Sequence, residues 1–322
     1  MIRAMRLVVV LLAATTALAA CGSGPASSGG PAGPVVVGTT PSLGNAGLYY
    51  AQSQGYFPQR GLQVEITPAQ SGSVAIPLLL NGQMQFAATD PLSAMVAISQ
   101  NIPISMIAPG NVGPADPDID PGAILVRDGG PVRTPADLAG RTVGVNVLNG
   151  LSHVAAMQAI DALGGDSSAS QYVEVPLPQM VEAAARGQVD AVVTNEPFVT
   201  TGLEAGLTRL ATPFSKVLPD VPQIVYIATN SYIADNPDQV SAFRDSIQQA
   251  NAYLAENPEE SRIVGRTSTE TPPEVLDQIR VPVFNAEPLT VADMQAIMDL
   301  MLRYRVIDQP LDVGTVVAGQ GT

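Results

Sequence analysis

Two short stretches put the same chemistry-bearing residues at the same point of a repeated pattern. Gly82-Gln83-Met84-Gln85-Phe86-Ala87-Ala88-Thr89-Asp90 aligns with Gly187-Gln188-Val189-Asp190-Ala191-Val192-Val193-Thr194-Asn195, 105 residues further on, and Glu196 follows the second copy. A shared opening, an apolar run and a Thr-Asp or Thr-Asn ending mark a duplicated supersecondary unit. Each ending falls at the carboxyl end of a strand, where open α/β sheets bind ligands. Asp90, Asn195 and Glu196 are therefore expected to face a ligand. A carboxylate enclosed in a cleft needs a hydrogen-bonding partner, which an amine or amide supplies. Asp90 stands before Pro91, so it also reads as an ordinary helix start.

Little else in the chain can do chemistry. Among 322 residues there are one cysteine and one histidine, and Lys216 is the sole lysine. Disulfide frameworks, His/Cys zinc sites and most nucleophile–His pairs are excluded on those counts. His153 stands near a helix start with no base–carboxylate grouping around it, so no catalytic role, metal or cofactor is expected. A net charge of −14 without a basic stripe argues against nucleic-acid binding. Met294, Ile297, Met298 and Met301 form a helical stripe that reads as core.

The elements that must position these residues alternate. Val35 to Thr39 reads as a strand, Ala46 to Gln54 as a helix closed by Gly55, and Leu62 to Ile66 as a strand. Ser71-Gly72-Ser73 starts the next helix, and strand and helix continue to alternate as far as Ala108. After the Pro/Asp-rich stretch Pro114 to Pro121 the rhythm restarts, and it runs to Thr194. Such alternation predicts α/β lobes with parallel sheets covered by helices. Helices should dominate after Thr229, over Pro237 to Glu256, Pro272 to Ile279 and Thr290 to Tyr304. Helix starts at Asn45 and Ser73 offer backbone N–H groups to an oxygen-bearing ligand, and Tyr49 offers a stacking or packing surface.

The N-terminus has its own logic. Arg3 and Arg6 precede an apolar run from Leu7 to Ala14, the pattern of a secretory signal. Leu18-Ala19-Ala20-Cys21 resembles the lipobox of bacterial lipoproteins, which implies a signal peptide over 1–20 and acylation (palmitate among the chains) at Cys21. The Gly/Ser/Pro-rich stretch to residue 34 reads as a flexible tether. Cell-membrane localisation follows, lipid-anchored on the extracytoplasmic face.

Five further segments resemble the solute-binding proteins of ABC importers for nitrate, sulfonates, taurine, bicarbonate and thiamine pyrimidine precursors. They are Asn45-Ala46-Gly47-Leu48-Tyr49-Tyr50-Ala51 running into Gly55-Tyr56-Phe57, Gly61-Leu62-Gln63-Val64, Thr134 to Val145, Ala184 to Ala191 with Glu196-Pro197, and Asn236 to Phe243. The resemblance implies a type II periplasmic-binding-protein fold, two α/β lobes joined by a two-segment hinge. Lobe 1 is then discontinuous, 35–121 and 230–322. Lobe 2 is 122–229, with crossovers at Gly122 to Val126 and Ile224 to Thr229. A monomer that hands a small molecule to an ABC permease and ATPase is implied, the alternatives being a ligand-sensing lipoprotein or an exported enzyme on the same fold. Thiamine-precursor members often carry His where this chain has Asn45, and pockets for flat rings usually offer tryptophan, which is absent here.

None of the expected cleft segments, Thr39 to Ala46, Gln70 to Ser73, Thr89 to Pro91 and Thr194 to Phe198, contains Arg or Lys. Simple anions are usually held by arginine forks. The expected ligand is therefore a small organic molecule with a hydrogen-bond-donating nitrogen.

Overall fold

The structure, a computed structural model, describes residues 33–40, 42–69, 71–217 and 219–319. Cys21, the signal peptide and nearly all of the tether lie outside the described residues. No helix among the described residues is long and apolar enough to cross a membrane.

Among the described residues, ten strands form two five-stranded sheets. The first has the order β2-β1-β3-β10-β4, from β1 (Val35–Thr39), β2 (Val64–Pro68), β3 (Phe86–Thr89), β4 (Ile104–Pro109) and β10 (Val225–Thr229). The second has the order β7-β6-β8-β5-β9, from β5 (Gly122–Arg127), β6 (Thr142–Val145), β7 (Gln171–Glu174), β8 (Ala191–Asn195) and β9 (Leu207–Ala211). The repeat of the sequence is a repeat of topology. Val37 pairs with Phe86 and Gly38 with Ala87 across β1 and β3, as Val143 pairs with Ala191 and Gly144 with Val192 across β6 and β8.

Sequence pattern predicted parallel sheets, and each sheet instead holds one antiparallel strand beside the repeat strand. β10 pairs antiparallel with β3 and β4, and β5 pairs antiparallel with β8 and β9. These are the two segments expected as crossovers, Gly122 to Val126 and Ile224 to Thr229. The chain in fact changes sheet just before each, over 110–121 and 212–224. Thus 225–229 belongs to the first sheet rather than to the 122–229 lobe. The reason is physical: a strand entering from the other sheet finds the open hydrogen-bonding edge of the repeat strand and fills it.

The two connecting stretches lie side by side, with an antiparallel bridge between Val112 and Pro222 and a 2.8 Å hydrogen bond from Asn111 Nδ2 to Gln223 Oε1. Asp120, fully buried, accepts from the amides of Gly122 and Ser215 at 2.8 and 2.7 Å, which pins the second stretch to the first.

Helices cover both sheets. In chain order they are α1 (Ala46–Ser53), α2 (Tyr56–Gln59), α3 (Gly72–Leu80), α4 (Pro91–Ser99), α5 (Leu151–Ala162), α6 (Leu177–Ala185) and α7 (Phe198–Glu204). Then come α8 (Phe214–Val217), α9 (Asn230–Asp235), α10 (Pro237–Glu256), α11 (Glu260–Ser268), α12 (Pro273–Leu276) and α13 (Val291–Arg303). Gly55, at φ 70°, ends the first helix as expected of a left-handed stop. Thr290 and Asp293 form a capping box at the start of α13, whose Met294, Ile297, Met298 and Met301 are buried. The helix expected over Pro272 to Ile279 is one turn only, with Val275, Leu276 and Ile279 packed on Leu43.

Each sheet has apolar clusters on both faces. On the second sheet, Ala156, Ala159 and Ile160 of α5 join Val143, Val145 and Val193. The other side of α5 leaves that sheet: Leu151, Val154 and Ala155 belong to the cluster of Met95, Met294 and Ile297, built on the first sheet. The two lobes therefore share an apolar contact through α5.

Candidate functional site

A cavity of about 110 Å³ lies between the two sheets at the carboxyl ends of the repeat strands. Ala88, Thr89 and Asp90 border it from β3 and the start of α4, and Val193, Thr194 and Asn195 border it from β8. The duplicated unit thus supplies facing walls. Thr40 and Ser42, Gly72 of α3, Asn146 to Val147, Leu151 and Ser152 of α5, and Leu177 of α6 add helix starts and loops. Asn111, Gln223 and Ile224 come from the connecting stretches, and Phe214 from α8.

Its electrostatics are unusual for a site meant to hold a simple anion. Among the described residues no Arg, Lys or His borders it, and Asp90 is the one ionisable residue that does. Four bordering residues have side-chain oxygens that are buried and without hydrogen-bond partners: Thr89 Oγ1, Asn111 Oδ1, Thr194 Oγ1 and Asn195 Oδ1. Thr89 and Thr194 are only 5% and 2% exposed. Buried polar atoms are normally satisfied, so four orphans at one cavity point to a missing partner. Both carboxamide oxygens call for a donor.

Of the residues expected to bind a ligand, the structure brings Asp90 and Asn195 to the cavity. Asp90 also caps α4: its Oδ1 accepts from the Ser93 amide at 2.9 Å and its Oδ2 from the Ser93 hydroxyl at 2.5 Å. Loss of solvent pushes its carboxyl above the usual range, and the bonds from Ser93 and Leu151 oppose that shift.

Asn45, Tyr49 and Glu196 are not among the residues that border it. Asn45 is buried one step behind the wall, donating to the Thr40 carbonyl at 3.1 Å and so holding the loop that carries Thr40 and Ser42. Tyr49 is half-buried against the aromatic and aliphatic cluster of the first sheet, where loss of solvent raises its phenol pKa. Ser73 is the second residue of α3, and its side chain lies outside the described parts. Glu196, 3% exposed, does not border the cavity. Its Oε2 accepts from the Thr200 amide and its Oε1 from the Thr200 hydroxyl, both at 3.0 Å.

Asn111, Gln223 and Phe214 escaped sequence reasoning. Asn111 and Gln223 lie in turn-rich junctions, Gly110-Asn111-Val112-Gly113-Pro114 and Pro222-Gln223-Ile224, which carry no periodic signal. Phe214 brings an aromatic ring to the cavity border. It reaches its place because Gly122 has no side chain, since a Cβ there would lie 2.1 Å from Phe214 Cδ2.

Known proteins place this architecture. The formylaminopyrimidine-binding protein of Halalkalibacterium halodurans is 24% identical over 224 residues, which cover 66% of this chain and 63% of that protein. The 4-amino-5-hydroxymethyl-2-methylpyrimidine phosphate synthase of Aspergillus parasiticus is 23% identical over 227 residues, 66% of this chain and 64% of that one. The chain thus matches under two thirds of the length of these relatives. Among solved structures, the alkanesulfonate-binding protein SsuA of Xanthomonas axonopodis pv. citri bound to MOPS superposes with a TM-score of 0.74 at 18% identity, covering 88% of this chain and 97% of that one. The fold is that of the periplasmic binding proteins. Residues 43–261, which take in both strands that wall the cavity, β3 and β8, match the family described as NMT1/THI5 like, and the chain belongs to that family.

Proposed function

We propose that this chain is the extracytoplasmic solute-binding component of an ABC importer. It is anchored by lipid at Cys21, and it closes its two lobes on a small organic solute bearing a hydrogen-bond-donating nitrogen. The observation that carries this reading is the cavity wall, which pairs orphaned carboxamide oxygens at Asn111 and Asn195 with no bordering cation among the described residues. Amino and amide nitrogens satisfy such oxygens, whereas nitrate, bicarbonate or a sulfonate would bring further acceptors to them. Phe214 supplies one apolar face for a flat ring. The formylaminopyrimidine-binding relative supports the same chemistry.

Binding is favoured over turnover by the placement of the groups that chemistry would need. Neither His153 nor Lys216 borders the cavity. His153 Nδ1 accepts from the Asn149 amide at 3.0 Å, and loss of solvent lowers its pKa to about 4.

A thermal-shift screen tests the reading. A specific solute at a hundredfold excess over its Kd stabilises by about 2.7 kcal/mol. 4-Amino-5-hydroxymethyl-2-methylpyrimidine and related aminopyrimidines should raise Tm. A shift with nitrate, bicarbonate or an alkanesulfonate alone would overturn it.

A further inference from the structure

The two carboxylates at the ends of the repeat strands do something beyond their own helices. Asp90 Oδ1, besides capping α4, accepts from the backbone amide of Leu151 at 3.0 Å. Leu151 is the first residue of α5, which packs on the second sheet. The preceding residue, Gly150, gives α5 no side-chain cap. A Cβ on Gly150 would lie only 3.2 Å from Asp90 Oδ2 and 3.1 Å from Ser93 Oγ, so the bare glycine leaves room for the first lobe to approach. One carboxylate therefore serves two helix starts, one in each lobe.

Glu196 repeats the arrangement in the opposite direction. Besides capping α7, its Oε1 accepts from the backbone amide of Arg280 at 3.4 Å. Arg280 follows Ile279, which packs with Leu43 at the opening of α1 on the first sheet. Its guanidinium is fixed to the first connecting stretch through the carbonyls of Pro117 and Asp120, at 3.3 and 3.2 Å. Nearby, Gln278 Nε2 donates to Glu204 Oε1 of α7 at 3.2 Å.

We infer that Asp90 and Glu196 are a duplicated pair of closure straps, each capping the helix after its own strand and accepting one backbone N–H from the opposite lobe. Parting the lobes leaves both helix caps intact and removes both cross-lobe bonds. The straps are positioning residues. They hold the walls together around whatever occupies the cavity, and Glu196 does so without touching the occupant. The inference takes from the proposed function only the idea that the lobes part and close.

Small-angle scattering of the full chain without solute tests it directly. An Asp90→Ala/Glu196→Ala double variant should show a larger radius of gyration than the parent. Asp90→Asn/Glu196→Gln, which keeps an acceptor oxygen at each place, should stay as compact as the parent. Alanine variants as compact as the parent, or conservative variants as expanded as the alanine ones, overturn the inference. Should the alanine variants fail to fold, Leu151→Ala, which shortens the buried side chain but keeps the donor, is the reference for Leu151→Pro, which also removes the cross-lobe donor at a helix position where proline is well tolerated. The proline variant should expand beyond that reference, and a Leu151→Pro as compact as Leu151→Ala overturns the strap at Asp90. With 4-amino-5-hydroxymethyl-2-methylpyrimidine as probe, Glu196→Ala should release solute about fivefold faster at an unchanged association rate, the effect of one lost hydrogen bond. Unchanged release overturns the strap at Glu196. Failure of the parent to bind the probe counts against the solute class alone, and scattering still decides the straps.

Discussion

The end of β3 and the end of β8 answer the same structural problem with a one-residue difference. After Thr89 the next residue is Asp90, which borders the cavity, caps α4 and reaches α5. After Thr194 the next residue is Asn195, which borders the cavity with an unpartnered oxygen, and the carboxylate comes one position later. That extra residue turns Glu196 away from the cavity and into the helix start. One lobe therefore combines wall and strap in a single side chain, and the other divides them between neighbours. The division leaves Asn195 free to take a ligand donor, which Asp90, holding three protein donors, is far less able to do.

Substitutions at the two ends should separate these duties. Asp90→Ala is expected to have the largest effect, about 3 kcal/mol of lost stability by urea unfolding, from a missing cap and a stranded Leu151 amide. It should weaken solute binding as well, while Asp90→Asn recovers most of the stability because asparagine caps helices nearly as well. Equal losses for Ala and Asn would mean that charge, not hydrogen bonding, holds this corner.

Gly72→Ala comes next and probes the first lobe alone. A Cβ there would lie 1.9 Å from Thr89 Oγ1 and 2.8 Å from Thr89 Cα, so α3 or β3 must shift, at about 2–3 kcal/mol in Tm-based stability. The equivalent helix start in the second lobe, Leu177 of α6, already carries a side chain into the wall. Leu177→Ala should therefore enlarge the cavity where Gly72→Ala distorts it, and a screen of solutes by size would show the opposite preference.

Glu196→Ala is expected to cost about 2 kcal/mol in chemical unfolding, because the Thr200 amide and hydroxyl lose their acceptor in a buried place. Its solute specificity should match that of the parent. A changed specificity would put Glu196 in the cavity wall and erase the difference between the two ends.

The smallest effect concerns His153, which sits beside Tyr172 with ring centroids 4.3 Å apart. The folded pKa of about 4 lies below the unfolded value of 6.5, so the unfolded state binds the proton first. Stability is then full above pH 6.5 and falls as pH drops from 6.5 towards 4, by on the order of 1 kcal/mol for a partly solvated ring. His153→Gln should flatten the slope over that interval, and an unchanged slope would assign it to other groups.

Much of this was legible from the chain alone, for identifiable reasons. Glycine stops such as Gly55, the Ser71 and Thr290 caps, and the repeat ending in Thr-Asx are encoded within a few residues, and all stand where they were read. The antiparallel strands β5 and β10 were not, because a segment's own pattern says nothing of which edge it will fill. The place of Glu196 behind the cavity wall is not legible for a similar reason. A carboxylate before Pro197 has the same local sequence whether it meets a ligand or Thr200, and its cross-lobe partner Arg280 lies 84 residues away. Asn111 and Gln223 were invisible because they act through a pairing across 112 residues.

The two-sided burial of α5 has a thermal consequence. Leu151, Val154 and Ala155 meet the first lobe's core through side chains that hydrate when the lobes separate. Hydrating apolar surface raises heat capacity, so closure must lower it, beyond what the small cavity alone can contribute. Solute capture should therefore grow markedly more exothermic as temperature rises.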